Sequence, residues 1–291
     1  MTHPPINWPV LALDLAVPKR QAVWCRALDV GLTTVRAETA TATLGNTYDL
    51  ATLAARLDDL PPKGRLQGWP FLAKACFDLG GLPTTCATAV PPFLETAATE
   101  DAEAVRAFTA QGAVAVGHAQ MNPFAYGLSG ENPHTGNCPH PADPHRLSWG
   151  SSSGSAHAVA RGLVPFALGT DTGGSLRVPA AWCGLYSVRW TPLLSVQGCF
   201  PLAPSFDTVG WLTRTPADLR RTIRAWWESF PPPETSGDEP SSGTVMMPTA
   251  GLDDETRAAL NATLARLPFE AGATVAEIDF GDLQEAARAF N

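Results

Sequence analysis

Two short turns rich in glycine and hydroxyl side chains limit how the middle of this chain can fold. The first is GSSSGS at 150–155 and the second is GTDTGGS at 169–175. Each turn precedes a run of small and apolar residues with helical spacing, and the apolar run VPFAL lies between them as a short buried strand. Helices that alternate with buried strands pack on the faces of a sheet, so the pattern predicts an α/β fold.

The same alternation continues on both sides of these turns. Leucines at helical spacing precede two prolines near residue 60, and GWPFLAK at 68–74 predicts a buried strand. The segment TEDAEAVRAFTAQGA predicts a helix with an acidic first turn, and the strand AVAVG follows it. The clearest helix begins at Thr215, with Pro216 in its first position and Asp218 completing a capping box.

The domain organisation follows from where these patterns begin and end. A shift to proline, serine and glycine marks a loop in the last quarter of the chain, and after it we expect a strand at 244–247, a helix at about 252–267, a strand at 275–280 and a helix that has only started when the chain ends. We therefore expect four parts: a partly helical N-terminal extension at 1–60, a core at 61–230, the loop at 231–243, and a short C-terminal part of the same domain at 244–291.

Composition excludes several classes of function. Hydrophobic residues make up 45% of the chain and charged residues 16%, with a formal net charge of -8. Nucleic acids and anionic membranes bind clustered lysine and arginine, so this acidic balance argues against both as partners. The six cysteines are scattered, and we find neither a leader-peptide pattern nor an apolar run of about 18 residues. We expect a cytoplasmic protein.

The serines that precede the two predicted helices allow two interpretations. Ser151 and Ser175 could be ordinary N-caps, because serine is favoured at that position. Alternatively, one of them is a nucleophile whose oxyanion is stabilised by the backbone N–H groups at a helix start. GSSSG also matches the nucleophile elbow of α/β-hydrolases with Ser152 at its centre, but that mechanism needs an acidic residue and then a histidine later in the chain. No histidine follows His157, so we reject it.

A serine nucleophile without histidine needs another base, and lysine is the usual substitute. Lys74 is one of only three lysines and stands within the uncharged segment PFLAKACF. Burial would lower its pKa towards the range of a general base. The alternative is a lysine at a strand end that extends into solvent.

Two other kinds of site fit the sequence poorly. His134, His140, His145 and Cys138 lie in one proline-rich loop, but their spacing matches no zinc pattern. GTDTGGS lacks the lysine of a phosphate-binding loop. We therefore expect no metal and no cofactor.

Two long segments resemble the amidase signature family. They are GSSSGSAHAVARGLVPFALGTDTGGSLRVPAAWCGLYSVRWT and the lysine strand GWPFLAKACFDLGGLPTT, with further similarity in AVAVGHAQMNPFAYGLSGEN and PLAPSFDTVGWLTR. The motifs are most similar to the branch that contains indole-3-acetamide hydrolase. The resemblance implies the amidase signature fold, a central mixed β-sheet flanked by helices on both faces.

The resemblance also implies roles for individual residues. Ser175 matches the nucleophile, Ser151 the bridging serine that follows a cis peptide bond, and Lys74 the base. The backbone N–H groups of the oxyanion hole match Thr172, Gly173 and Gly174, and the supporting positions match Ser152, Thr170 and Asp171.

The implied activity is hydrolysis of a small linear carboxylic amide to an acid and ammonia or an amine, through a Ser-Ser-Lys acyl-enzyme. Two alternatives remain, a non-catalytic binding or scaffold protein and the amidase-like subunit of a tRNA-dependent amidotransferase. The expected partner is a small-molecule amide, with a homo-oligomer as a further possibility.

Three positions depart from the family's pattern. Ala75 replaces the usual Asp after the lysine, Trp149 replaces a Gly before GSSSG, and RWT replaces the usual Lys-Pro-Thr. The chain is also shorter than the family norm at its C-terminus. We therefore expect an open substrate pocket and an apolar patch near 275–291 that favours self-association.

Overall fold

The chain forms two units, residues 1–231 and 232–291. The structure is a computed structural model, and each unit is described by itself. The residues that the structure describes are 18–39, 42–91, 93–191, 196–230, 244–248, 253–264 and 274–278.

A mixed six-stranded sheet organises the first unit. Its strands lie in the spatial order β1-β3-β2-β4-β6-β5. β2 runs parallel to both β3 and β4, whereas the β1–β3, β4–β6 and β5–β6 pairs are antiparallel. The strands are β1 (Leu44–Thr47), β2 (Pro70–Lys74), β3 (Val114–Ala119), β4 (Phe166–Thr170), β5 (Tyr186–Arg189) and β6 (Val209–Thr213). Every residue of β2, β3 and β4 is buried, as the apolar runs predicted.

Helices connect and cover these strands. They are α1 (Pro18–Thr39), α2 (Leu50–Asp58), α3 (Glu103–Thr109), α4 (Ser153–Ala160), α5 (Arg177–Trp182) and α6 (Pro216–Ser229). The predicted cap of α6 is confirmed, because the Thr215 side chain accepts a 3.1 Å hydrogen bond from the backbone N–H of Asp218. The predicted helix around Leu53 is confirmed as well, and Asp49 caps it.

Aromatic side chains fill one face of the sheet. Phe71 and Phe166, on neighbouring strands, stack with their ring centroids 4.9 Å apart, and Phe108 of α3 lies 4.9 Å from Phe166. Next to them, Trp211 of β6 lies 5.2 Å from Trp226 of α6.

Small side chains allow helices to approach the opposite face. Leu212 follows Trp211 in β6, so its side chain points to the other side of the sheet. There it packs with Ala156 of α4 and Ala180 of α5. Helices therefore cover both faces, as predicted.

The predicted N-terminal extension contributes β1 to this same sheet, although its sequence showed no functional motif. β1 pairs with β3, and the fully buried Trp24 of α1 donates a 2.8 Å hydrogen bond from Nε1 to the carbonyl of Gly68. These contacts attach the N-terminal segment to β3 and to the turn just before β2, the strand that carries Lys74.

The second unit contains the strand, helix and strand that the sequence predicted. β7 (Thr244–Pro248) pairs in parallel with β8 (Thr274–Ile278), and α7 (Asp254–Leu264) lies between them in sequence. The predicted loop at 231–243, the helix after 280 and most of the predicted apolar patch lie outside the described residues. Among the helices that are described, none has the length and apolar character needed to cross a membrane.

Candidate active site

Lys74 lies at the carboxyl end of β2 and is fully buried. Its Nζ donates one hydrogen bond of 2.7 Å to Ser151 Oγ and another of 2.7 Å to Thr170 Oγ1. Thr170 is the last residue of β4, which is parallel and adjacent to β2, so the two strand ends meet at one edge of the sheet. Lys74 does not extend into solvent, and that alternative interpretation is wrong.

Burial is the main influence on the pKa of Lys74. Removal of the ammonium from water lowers this pKa below its ordinary value, while the thiols of Cys76 and Cys199 and the carboxylates of Asp171 and Asp207 oppose the shift. The neutral amine therefore forms at a lower pH than in an exposed lysine.

Ser151 stands in a tightly held segment that precedes α4. The peptide bond between Gly150 and Ser151 is cis, as the resemblance implied. The carbonyl of Ser151 accepts a 3.1 Å hydrogen bond from the backbone of Asn122, and a Cβ at Gly150 would lie only 1.9 Å from Asn122 Oδ1. Asn122 thus holds this segment in place, a contact that the sequence analysis did not predict.

Neither serine acts as an N-cap. The N-cap positions of α4 and α5 are Ser152 and Leu176, and neither side chain makes a capping hydrogen bond. Ser151 instead contacts Lys74, and Ser152 donates from its backbone N–H to the carbonyl of Ser175 at 3.2 Å. The capping interpretation is therefore wrong, and the two serine-bearing turns are joined directly.

Asp171 organises the turn that carries Ser175. Its buried carboxylate accepts hydrogen bonds from the backbone N–H groups of Gly174, Leu176 and Arg177, and two more from the guanidinium of Arg177 at 2.9 and 3.0 Å. Burial alone would raise the pKa of this carboxyl, but the hydrogen bonds and charge of Arg177 hold it below its usual value. Ser175 itself is almost completely buried.

One of the three backbone N–H groups predicted to form the oxyanion hole, that of Gly174, has another partner. The N–H of Gly174 donates to Asp171 Oδ1 at 2.8 Å, so it is already engaged and does not fit the role of an oxyanion donor. Within the part of the chain that the structure describes, no group accepts a hydrogen bond from the N–H of Thr172 or Gly173. Gly174 has instead a positive φ of 132°, which explains glycine at this position.

Asp207 is a supporting residue that the sequence analysis did not identify. It accepts a 2.5 Å hydrogen bond from Thr172 Oγ1 and also receives the backbone N–H groups of Leu202 and Ala203. The next residue, Thr208, donates to the carbonyl of Asp171 at 2.6 Å. The segment PLAPSFDT therefore supports the turn through Thr172 and the carbonyl of Asp171.

The two departures nearest to the site have different surroundings. Ala75 is buried, and its backbone pairs with Ala119. Trp149 is 40% exposed at a positive φ of 56° and packs against Trp182 with centroids 5.6 Å apart.

Of the four residues weighed as metal ligands, Cys138 contacts Thr43 and His140 contacts Trp182. Among the described residues, no group of three or more potential ligands converges.

A mixed sheet covered by helices on both faces, with a buried lysine and two serine-bearing turns at one edge, defines an amidase signature fold. The chain belongs to the Amidase family, whose sequence model matches residues 40–291. It is 40% identical over 215 residues to Amidase 1 of Oryza sativa subsp. japonica, covering 71% of this chain and 48% of that protein. It is 38% identical over 226 residues to indoleacetamide hydrolase of Pseudomonas syringae pv. syringae, covering 76% and 49%.

A solved structure shows the same fold. The match to a crystal structure of an amidase has a TM-score of 0.69 at 31% identity, and covers 88% of this chain and 60% of that one. The chain spans about half the length of the two relatives named above.

Proposed function

We propose that this chain is an amidase that hydrolyses a small linear carboxylic amide to an acid and ammonia or an amine. The observation that carries the proposal is the 2.7 Å contact between the buried Lys74 Nζ and Ser151 Oγ, beside the turn that carries Ser175. A buried amine in contact with a hydroxyl is an arrangement suited to moving protons at neutral pH.

Acylation uses the three side chains in sequence. Neutral Lys74 accepts the proton of Ser151 while Ser151 accepts that of Ser175, and the oxygen of Ser175 attacks the amide carbonyl. The proton then returns through Ser151 to the leaving nitrogen, so that ammonia or an amine departs. Water attacks the resulting ester, with the same relay taking its proton, and releases the acid.

Asp171 and Asp207 support this reaction by holding the turn. Their hydrogen bonds fix the backbone of residues 172–176, so the N–H groups of Thr172 and Gly173 need little rearrangement to meet an oxyanion. Thr170 accepts a second hydrogen bond from Lys74 and so helps to orient it, and the backbone of Ser152 links the two turns.

The substrate class follows from family membership and the names of the relatives. Indoleacetamide hydrolase is named for a primary amide, and we propose primary amides with a small apolar or aromatic acyl group as the first substrates to test. No step of the proposed reaction needs a metal or cofactor.

A panel of amides scored by ammonia release tests the proposal. It contains acetamide, phenylacetamide, indole-3-acetamide and a peptide amide, each incubated with wild-type protein and with Ser175→Ala. We expect turnover of at least one amide by the wild type and none by the variant. Binding of an amide without turnover, with both proteins correctly folded, would favour the non-catalytic binding protein instead.

A further inference from the structure

Two cysteines meet next to the candidate base. Cys76 follows Lys74 by two residues, and its Sγ lies 3.7 Å from Sγ of Cys199. Backbone hydrogen bonds join the two segments that carry these cysteines. The N–H of Phe200 donates to the carbonyl of Cys76 at 2.7 Å. The N–H of Asp78 donates to the carbonyl of Gly198, also at 2.7 Å. The backbone therefore holds the sulfur atoms in proximity.

A cavity borders one of the two cysteines. Cys76 is buried, whereas the half-buried Cys199 lines a cavity of about 480 Å³ together with Asp78, Phe93 and Phe200. A small oxidant that enters this cavity borders Cys199, and the Sγ of Cys76 lies 3.7 Å from that of Cys199.

We infer that Cys76 and Cys199 form a redox-active dithiol beside Lys74, which a hydroperoxide converts into a disulfide. The thiolate of one cysteine attacks the peroxide oxygen, giving a sulfenic acid and releasing water or an alcohol. The second thiol then attacks the sulfenic sulfur, forms the S–S bond and releases water. Two thiols are oxidised and one peroxide is reduced, and a dithiol reductant reverses the change.

The distance permits the bond with little movement. A disulfide needs the sulfur atoms at about 2.05 Å, so from 3.7 Å they have to approach by roughly 1.7 Å. Rotation of the Cys199 side chain, which borders the cavity, is the simplest way to achieve this.

The electrostatic surroundings give the two cysteines different roles. The hydrogen bond to Cys76 and burial raise the pKa of Cys199 well above its ordinary value, so Cys199 stays a thiol. Burial opposes ionisation of Cys76, but the hydrogen bond from Cys199 and the charge of Lys74 outweigh it and lower the pKa of Cys76. Burial raises the pKa of Cys138 to about 12 and that of Cys183 to about 11. The thiolate that reacts with peroxide is therefore favoured at Cys76.

Oxidation also changes the field at Lys74. The groups that raise the pKa of Lys74 are Cys76, Cys199, Asp171 and Asp207. A disulfide carries no ionisable proton, so the contributions of the two thiols disappear and the pKa of Lys74 falls. Because the proposed reaction needs the neutral amine, the acid limb of the activity profile should move to lower pH. This consequence rests on the proposed function, whereas disulfide formation does not.

The test is a peptide map of the folded chain after treatment with hydrogen peroxide. The protein is alkylated under native conditions and digested, before and after dithiothreitol. We expect a peptide pair linked through Cys76 and Cys199 that dithiothreitol releases. The same linkage should persist in the control Cys25→Ser, which lacks a half-buried cysteine on α1, and disappear in Cys199→Ser.

Three outcomes would overturn the inference. They are the absence of this linked pair at peroxide concentrations that oxidise free thiols, linkage to a different cysteine, and over-oxidation of Cys199 that dithiothreitol does not reverse. Since the map is read on the wild-type protein, misfolding of a variant does not affect it. If the disulfide forms but no amide is hydrolysed, the proposed function fails and this inference stands.

Discussion

Lys74 and Thr170 meet at the neighbouring ends of β2 and β4, where the lysine Nζ donates to the threonine Oγ1 at 2.7 Å. A hydroxyl that accepts from an amine stabilises the charged form more than the neutral form. Thr170 therefore both positions Lys74 and limits how far burial lowers its pKa.

Replacement of Thr170 by valine should separate these two effects. The side chain keeps its shape but loses the acceptor, and a hydrogen bond to a charged group contributes about 1.5–3 kcal/mol. We expect the acid limb of kcat/KM to move to lower pH, since the pKa of Lys74 falls, and the plateau to drop roughly tenfold because Lys74 is less well oriented. The matched control is Thr109→Val, whose hydroxyl donates to the carbonyl of Arg106 at 3.0 Å within its own helix. If the acid limb of kcat/KM for Thr170→Val moved to higher pH, Thr170 would not be stabilising the charged form of Lys74.

Lys74→Ala should remove the base while leaving the nucleophile in place. We expect kcat/KM to fall about 100- to 10,000-fold, the usual contribution of general acid–base catalysis. High pH should restore activity only in part. Lys63→Ala, at an exposed lysine, should behave like wild type in the same ammonia assay. Near-normal turnover by Lys74→Ala would show that another group takes the proton.

Asp171→Asn should loosen the turn that carries Ser175. The amide cannot accept all the N–H donors that Asp171 now receives, and we expect a loss of about 3 kcal/mol in the free energy of unfolding at pH 7. Because the folded-state pKa is lowered, the contribution of the carboxylate is present above its ordinary pKa and disappears as the pH falls through the folded value. The difference from wild type should therefore shrink in acid. Denaturant melts at several pH values measure it, with exposed Asp29→Asn as control.

Gly150→Ala should disrupt the segment that places Ser151. The new Cβ would lie 1.9 Å from Asn122 Oδ1, so either the segment or Asn122 has to move. We expect poor folding or a protein that folds but loses most activity. Gly80→Ala is the matched control, because its nearest heavy atom lies at an ordinary 3.5 Å. Equal activity and melting temperature for the two variants would contradict the close fit at Gly150.

Local sequence patterns predicted the helices and strands whose characteristic signal lies within a few neighbouring residues. The cap at Thr215 identified α6, and the apolar runs around Phe71 and Phe166 identified buried strands, since each signal lies within one element. α1 was not predicted as a helix of this length. Its helical character depends on contacts such as that of Trp24 with Gly68, which lies 44 residues away.

The candidate site was predictable only where a motif covers it. Family resemblance indicated Lys74, Ser151 and Ser175, and the structure brings Lys74 and Ser151 into contact. The family resemblance did not indicate Asp207, which is 35 residues from its partner Thr172. Nor did it indicate the contact between Cys76 and Cys199, which are 123 residues apart. Such contacts depend on the order of strands in the sheet, and no local pattern encodes that order.

The most direct measurement of the central claim is the position at which a fluorophosphonate probe binds covalently. Such a probe reacts with an activated serine, and peptide mass mapping identifies that serine. We predict a single adduct at Ser175 in the wild type, a strongly reduced amount in Lys74→Ala, and unchanged labelling in the control Lys63→Ala. An adduct at Ser152, or amide turnover by a chain that labels at neither serine, would contradict acyl transfer through Ser175.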